Sequence, residues 1–305
     1  MRGPMADTAE SMMALALKRF RRHRLAIAGA VVLAVLASLA ATAPLIATIL
    51  GLDWEAVDLL NRFAPPSAAH PLGTDELGRD LFIRLLYGGR ISLLVGLTAT
   101  VVAALIGTAI GLLAGFYGGR LDALLMRFTD SVIALPLLPL LIVLAAVDLD
   151  KLGLPPSLVQ SQYVSLYRII AIVALVGWTT VARLVRGAAL TIRERDFVLS
   201  ARGYGAGGFR IMTVHILPNL ISPVIVATTL SVGNVILLES VLSFLGLGIQ
   251  PPIPSWGNLL TNAQELIWTA PGLAMWPGTL IFITVIALNF LGDGLQDALD
   301  PKATD

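Results

Sequence analysis

The 305-residue sequence contains no cysteine, only three histidines and few charged residues. The lack of cysteine excludes disulfides, thiolate nucleophiles and zinc sites with cysteine ligands. Charged residues make up 13% of the chain, whereas soluble domains carry about 25%. Hydrophobic residues make up 56%. This composition indicates an integral membrane protein rather than a soluble domain.

The motifs of common catalytic sites are also missing. No lysine is followed by serine or threonine, which excludes a Walker A phosphate loop. The histidines are widely spaced and form no HExxH motif, and no GxSxG nucleophile elbow occurs. The segment GYGAGG (203–208) resembles a dinucleotide-binding loop, but it follows a basic segment rather than a strand. We therefore expect no catalytic residue, no bound cofactor and no metal site on this chain.

Six uncharged runs are candidates for membrane-spanning helices, which need about 20 residues. The run at 131–147 is marginal, and the run at 169–182 must extend past Arg168 or Arg183, whose stems can snorkel to the interface. The first run follows KRFRRHR and is too long for a signal peptide, so we predict a retained helix, with a cleaved signal as the alternative. Continuous runs favour helices over barrel strands. The six runs are 25–50, 91–119, 131–147, 169–182, 211–238 and 266–292.

The distribution of basic residues predicts the orientation. With the N-terminus inside, 15 of the 21 Lys and Arg residues fall in cytoplasmic segments, as the positive-inside rule requires. The segment GTDELGRDLFIRLLYGGR (73–90) fits this least well, and we interpret it as a short interfacial helix. The predicted parts are a cytoplasmic tail (1–24), a first helix (25–50), an extracytoplasmic loop (51–89), a five-helix domain (90–293) and a cytoplasmic tail (294–305).

Small residues recur at every fourth position of the second run. Gly107, Gly111 and Gly115 lie on one helical face, and Ala99 and Ala103 extend the row. Small residues at this spacing let helix backbones approach closely in lipid. We predict tight packing within the bundle, and a self-dimer interface is the alternative.

The last connection, FLGLGIQPPIPSWGNLL (244–260), is uncharged but cannot form one helix because prolines interrupt it. Irregular backbone at membrane depth is tolerated only inside protein or beside a wet cavity. We predict a structured re-entrant or outer-surface loop, with a flexible loop as the alternative. The candidate residues for an outer gate are Gly248, Pro251, Pro252, Pro254 and Trp256.

Few ionisable residues fall within the predicted spans. Transporters coupled to protons or sodium usually place carboxylates near mid-membrane, and the lack of a central one argues against that class. Asn234 and Glu239 are the candidate polar residues of a translocation pathway. For Glu239, a solvated position at the interface and a position facing the pathway both remain open.

The patch SARGYGAGGFRIMTVHILPN (200–219) interrupts two hydrophobic runs. It predicts a short helix that ends at a glycine, a turn through Gly205, Gly207 and Gly208, and a second short helix stopped by Pro218. A compact unit with exposed apolar residues on a basic surface favours a docking site, and a snorkelling loop is the alternative. The apolar faces would carry Phe197, Ala201 and Tyr204 on the first helix, and Phe209 and Met212 on the second.

This patch resembles the "EAA" loop of binding-protein-dependent ABC importer permeases. The matching pattern is Ser200-Ala201, three residues, Gly205, nine residues, and then HILP (215–218). Other segments resemble the dipeptide and oligopeptide permeases of the DppC/OppC type, and the resemblance covers nearly the whole chain. Those segments are 70–96, 111–130, 215–219 and 244–257.

The resemblance implies a type I ABC importer transmembrane fold with six helices and a cytoplasmic coupling helix within the loop 194–217. That helix would dock on an ATPase through Phe197, Ser200, Ala201, Tyr204, Gly205, Gly207, Phe209, Arg210, His215 and Pro218. Where the family often has glutamate, this chain has Leu199, so shape and apolar packing would have to carry the contact.

The resemblance also implies the partners. These are a second homologous permease chain, two ATP-binding subunits, an extracytoplasmic solute-binding protein and the lipid bilayer, with no nucleic acid. ATP hydrolysis would take place on the separate subunits. Peptides are the solutes expected from the family, with nickel chelates, haem, glutathione or sugars as alternatives. A stand-alone secondary transporter is the rival class.

Overall fold

The computed structural model describes residues 12–153, 155–159 and 161–299, and this part of the chain is mainly helical and contains no strand. Five helices in this part of the chain are long and apolar enough to cross a membrane, and a bent pair could form a sixth span. The helices are α1 (Met12–Arg22), α2 (Arg24–Leu50), α3 (Leu81–Tyr117), α4 (Gly119–Ala134), α5 (Leu137–Ala145), α6 (Val164–Ile192), α7 (Asp196–Gly203), α8 (Gly208–Phe244) and α9 (Gly272–Leu299). Single helical turns lie at Leu59–Asn61, Leu149–Leu152, Pro156–Val159, Asn258–Leu260 and Ala263–Leu266.

The predicted interfacial helix at 73–90 is wrong. α3 begins at Leu81, where Asp80 caps it by accepting the Ile83 amide at 2.9 Å, and it continues without a break for 37 residues. The charge of Arg84 does not end the helix because this side chain is buried, lies 3.4 Å from Asp75 and donates to the Trp54 carbonyl. The preceding loop, 51–80, contains only one short 3₁₀ turn.

The third predicted span, 131–147, is not one helix. α4 and α5 meet at an angle of 85°. The break lies at Pro136, and Leu135 before it is extended (φ −74°, ψ 135°), because a residue that precedes proline disfavours the helical region. An apolar run alone could not indicate this break, since the run 131–147 continues from the end of α4 across Pro136 into α5.

The fourth span extends beyond its uncharged run, as predicted, and it does so past both arginines rather than one. α6 runs from Val164 to Ile192 and includes both Arg168 and Arg183. Arg183 forms an ion pair with Asp130 of α4 at 2.5 Å. A second pair joins the same two helices, because Arg186 donates two hydrogen bonds to Asp122 at 2.5 and 2.6 Å.

The prediction of a second short helix stopped by Pro218 is wrong. α8 begins at Gly208 and runs through Pro218 to Phe244, a length of 37 residues. The turn before the proline, Ile211–Ile216, is a wider π turn. A proline lacks the N–H that a regular helix needs, and a π turn changes the local hydrogen-bond pattern so that the helix continues.

The centre of the bundle is the crossing of α3 and α6. Gly107, Gly111 and Gly115 face α6 so closely that a Cβ atom at Gly107 would lie 2.5 Å from the Trp178 carbonyl oxygen. A Cβ at Gly115 would lie 2.7 Å from that of Ala189, and one at Gly111 would overlap the Ala182 carbonyl. The glycine row therefore lies at a helix–helix contact within the chain.

Candidate functional site

The chain direction places the loops at two ends of the bundle. At one end, α6 turns into α7, α3 turns into α4, and α9 ends beside the start of α2, where Gly294 contacts Ala26. We call this the basic end, because most of the described arginines lie there. The other end, which we call the proline-loop end, carries the loops 51–80, 146–163 and 245–271.

A short helix and a glycine turn form a protruding unit at the basic end, which we call the knob (196–209). α7 ends at Gly203, and Gly205 adopts a left-handed conformation (φ +83°). The amide of Ala206 donates to Ala201, and that of Gly205 donates to Arg202, each at 3.0 Å. These two bonds form a Schellman motif, in which a left-handed residue is nearly always glycine.

The outer surface of the knob is apolar and aromatic. Tyr204 is 92% exposed and Phe209 is 76% exposed, and Phe197 and Leu199 are also exposed. Ala201 is half-buried. The expectation that Met212 shares an exposed face with Phe209 is wrong, because Met212 is buried in the core beneath the knob.

The base of the knob is anchored to three long helices. Val198 is fully buried in a cluster with Val185 of α6 and Ile216 of α8. Arg193 donates to the Gly115 carbonyl of α3 at 3.0 Å. A Cβ at Gly208 would lie 3.1 Å from the Phe116 ring. The knob therefore moves with α3, α6 and α8 rather than as a separate loop.

The remaining residues predicted for this loop lie close by. Ser200, Gly207 and Arg210 are exposed on or next to the knob. His215 is half-buried and Pro218 is exposed, and both lie in the first turns of α8 rather than on the knob itself.

A groove opens in the middle of the bundle between α3, the α4–α5 bend, α6 and α8. Its cavity volume is about 810 Å³, and its walls are mostly apolar. Asn234 lines the groove, as do Thr100, Thr179 and Arg183. No carboxylate lines it within the described part of the chain.

Both expectations for Glu239 are wrong. The residue is neither solvated nor exposed to the groove, because its side chain is completely buried. Its carboxylate accepts hydrogen bonds from three serine hydroxyls. The donors are Ser243 at 2.7 Å, Ser255 at 2.9 Å and Ser92 at 3.3 Å.

The same three hydroxyls hold the backbone of the proline loop (245–262). Each accepts a hydrogen bond from a loop amide at 3.1 Å, which orients its own hydrogen toward Glu239. The pairs are Ile249 with Ser243, Asn258 with Ser255, and Trp256 with Ser92. Glu239 is therefore the centre of a buried polar network that fixes the loop.

Trp256 fixes the proline loop from its other side. The buried indole donates to the Leu85 carbonyl at 3.0 Å and rests against Gly89 of α3. Gly248 is buried against Ser243. Pro254 is buried, whereas Pro251 and Pro252, joined by a cis peptide, are exposed at the tip. The loop is structured, as predicted, and presents Pro251 and Pro252 outward.

Charged residues cluster beside the proline loop. Asp75 accepts from the Arg79 side chain at 2.7 Å and lies 3.4 Å from Arg84. Asp80 pairs with His70 at 3.0 Å. At the edge of this cluster the Asn61 amide donates to Asp58 and lowers the pKa of that carboxyl. From the sequence alone, we could infer only that the acidic and basic residues of 75–84 balance one another. The burial of Arg84 could not be inferred.

No cluster of three or more potential metal ligands occurs among the described residues.

Comparison with known proteins gives two family matches. Residues 107–305 match the family described as "Binding-protein-dependent transport system inner membrane component". Residues 11–66 match the "N-terminal TM domain of oligopeptide transport permease C".

Among curated relatives, the chain is 39% identical to the dipeptide transport system permease protein DppC of Alkalihalophilus pseudofirmus, over 97% of this chain and 91% of the relative. It is 37% identical to the oligopeptide transport system permease protein OppC of Bacillus subtilis, over 94% and 88%. It is 39% identical to the glutathione transport system permease protein GsiD of Pectobacterium atrosepticum, over 93% and 89%.

Proposed function

The chain belongs to the family of binding-protein-dependent transport system inner membrane components, and we propose that it is a permease subunit of an ATP-driven importer. It forms half of the translocation pathway for peptides or similar small solutes, which a solute-binding protein delivers. The names of its relatives support peptides as the solute class. The glutathione permease among them supports glutathione, itself a short peptide, as the alternative.

The observation that carries this proposal is the knob. Its aromatic surface is exposed at the basic end, while its base is buried against α3, α6 and α8. An exposed cluster of tyrosine and phenylalanine on a rigid base is typical of a protein interface. The partner we propose is an ATP-binding subunit, since this chain contains no Walker A loop. Leu199 is exposed on the knob, so apolar contact carries the interaction at the position where the family resemblance implies a glutamate.

The proposed orientation puts the basic end in the cytoplasm and the proline-loop end outside, with both termini cytoplasmic. The distribution of Lys and Arg favours this orientation. The solute-binding protein then docks at the proline-loop end, where Pro251 and Pro252 are exposed. The proline loop forms the outer gate.

The complete importer in this proposal contains one copy of this chain, a homologous permease chain, two ATP-binding subunits and the solute-binding protein. The apolar groove beside Asn234 is this chain's half of the pathway, and the second permease supplies the other half. The groove suits solutes of varied sequence, because its walls are mostly apolar and Arg183, which lines it, is paired with Asp130. No cofactor is assigned to this chain.

The mechanism follows from α8. This helix begins at the knob and ends at the proline loop, so its 37 residues span about 55 Å at 1.5 Å per residue. Glu239, near its far end, holds the proline loop through the three serines. When ATP closes the two ATP-binding subunits, displacement of the knob shifts α8 and the proline loop as one body. Rigid movement of this kind is a usual form of alternating access.

Reconstitution tests the proposal. The tagged chain is co-expressed with a second permease of the family, a cognate ATP-binding subunit and a cognate solute-binding protein, and the complex is placed in proteoliposomes. We expect co-purification, and ATP-dependent uptake of a labelled dipeptide that requires the solute-binding protein. Uptake by this chain alone, driven by an ion gradient, would contradict the proposal and support a secondary transporter.

A further inference from the structure

A second cavity lies at the proline-loop end, apart from the groove. Its volume is about 290 Å³, and it shares no lining residue with the groove. It is enclosed by the 75–84 segment, the proline loop and the start of α9. Its charged lining residues are Asp75, Glu76, Arg79 and Arg84, and its amide side chains are Gln250, Asn258 and Asn262.

Buried positive charge exceeds buried negative charge in the wall of this cavity. The side chains of Arg79 and Arg84 are 10% and 4% exposed, and the one equally buried carboxylate beside them is Asp75. Glu76 reaches Arg79 only at 3.7 Å and is itself 38% exposed. Asp80 does not line the cavity, because its oxygens accept the Ile83 amide and pair with His70. Two buried guanidinium groups therefore share one buried carboxylate.

Arg84 retains unused hydrogen-bonding capacity. Its Nη1 donates to the Trp54 carbonyl at 3.2 Å, but its Nε has no hydrogen-bond partner in the described part of the chain. The distance of 3.4 Å to Asp75 is an ion-pair contact without hydrogen-bond geometry. An unsatisfied buried donor is costly, and more so when it is charged. A carboxylate is the ligand that matches a guanidinium fork.

We propose that this cavity binds the carboxylate group of a small peptide or similar solute, with Arg84 as the anchoring residue. Gln250 and Asn262 also line the cavity beside the solute, whereas the Asn258 amide is bonded to the loop backbone and shapes the wall. A volume of about 290 Å³ lies at the lower limit of ligand pockets, roughly 300–1,000 Å³, which favours a dipeptide over a longer peptide. The inference rests on the proposed function, because it makes this cavity an entry site for the solute that the binding protein releases.

Saturation-transfer NMR on the full-length chain in lipid nanodiscs tests this site, since the method detects weak binding. The probes are L-alanyl-L-alanine and its C-terminal amide, which lacks the carboxylate. We expect the wild-type chain to bind the acid at least about tenfold more tightly than the amide. The amide cannot form the charged hydrogen bond to Arg84, and loss of such a bond costs more than about 1.4 kcal/mol. Arg84→Gln abolishes that preference. Arg62→Gln, which changes an exposed arginine at the same end, retains it.

A second variant protects the test against misfolding. Arg84→Lys keeps a cation beside Asp75, so this variant folds with the buried charge intact. Because lysine lacks the planar guanidinium fork, the preference of the variant for the acid over the amide falls severalfold. Equal binding of acid and amide by the wild-type chain, or no binding of either, overturns the proposal. So does a result in which Arg84→Gln weakens only docking of the solute-binding protein.

The outcomes separate this inference from the proposed function. A chain that assembles with ATP-binding subunits and supports uptake, but does not distinguish acid from amide, rejects the carboxylate site alone. A chain that prefers the acid but assembles with no ATP-binding subunit rejects the proposed importer.

Discussion

The hydroxyl of Ser255 donates a 2.9 Å hydrogen bond to Oε1 of Glu239, sixteen residues earlier in the chain. This contact joins the proline loop to α8, the helix that begins at the knob. Ser255 also accepts from the Asn258 amide, so the hydroxyl cannot rotate freely. The pair is therefore the most direct link between the long helix and the loop at its far end.

Ser255→Ala is expected to loosen the proline loop without unfolding the bundle. Removal of the hydroxyl takes a hydrogen-bond donor away from a buried carboxyl oxygen, which costs about 1–3 kcal/mol, and each 1.4 kcal/mol is a factor of ten in an equilibrium. Hydrogen exchange of the Asn258 and Trp256 amides should accelerate by about tenfold or more. Ser131→Ala is the control, since that exposed hydroxyl bonds only within its own helix. Unchanged exchange at Asn258 would contradict the anchoring role of Glu239.

Gly111→Ala is expected to destabilise the bundle, contrary to the usual effect of alanine in a helix. Alanine is ordinarily favoured over glycine by about 0.5–1 kcal/mol, but its Cβ would overlap the Ala182 carbonyl. Overpacking of this kind costs about 1–3 kcal/mol. Thermal unfolding in detergent should show a lower midpoint for Gly111→Ala and an equal or higher one for Gly278→Ala, where a Cβ has open space. Equal midpoints for both variants would exclude close packing at the glycine row.

The ion pair between Arg186 and Asp122 is expected to couple α4 to α6. Arg186 donates two hydrogen bonds in a planar fork that lysine cannot reproduce. Because the Arg186 side chain is 35% exposed, a double-mutant cycle with Arg186→Lys and Asp122→Asn should give a coupling of only about 0.5–1 kcal/mol. The pair of Lys151 and Asp148, which is far more exposed, should give a smaller value. A larger coupling for the exposed pair would refute this ranking.

Tyr204→Ala is expected to weaken assembly with the ATP-binding subunit. Tyrosine at the centre of an interface commonly contributes 2 kcal/mol or more, which corresponds to a loss of about 30-fold in affinity. Titration of the reconstituted permease pair with the ATP-binding subunit measures this effect. Tyr163→Ala changes an exposed tyrosine at the opposite end and should leave the affinity unchanged. Similar losses in both variants would point to general damage rather than to the knob.

Sequence reasoning located the long helices and the knob because both depend on local signals. A membrane helix is recognised from one continuous apolar run. The turn of the knob is recognised because Gly205 comes directly after the end of a helix, where a left-handed glycine is common. The errors arose where distant residues determine the outcome. Arg84 continues a helix because Asp75 and Trp54 lie beside it, and Glu239 is buried because serines from three segments surround it. Pro218 is a local exception, because the turn directly before it widens and the helix continues through the proline.

The central claim is that the knob couples ATP hydrolysis to movement of α8, and Gly205→Val tests it most directly. A β-branched residue at φ +83° is strained by about 1–2 kcal/mol, whereas Gly207, at φ −68° and ψ 155° with open space around it, accepts valine. The measurement is the ratio of dipeptide uptake to ATP hydrolysis in the reconstituted importer. We predict that Gly205→Val lowers this ratio at least about tenfold with an unchanged unfolding midpoint for the bundle, and that Gly207→Val preserves it. An unchanged ratio in Gly205→Val would contradict the account.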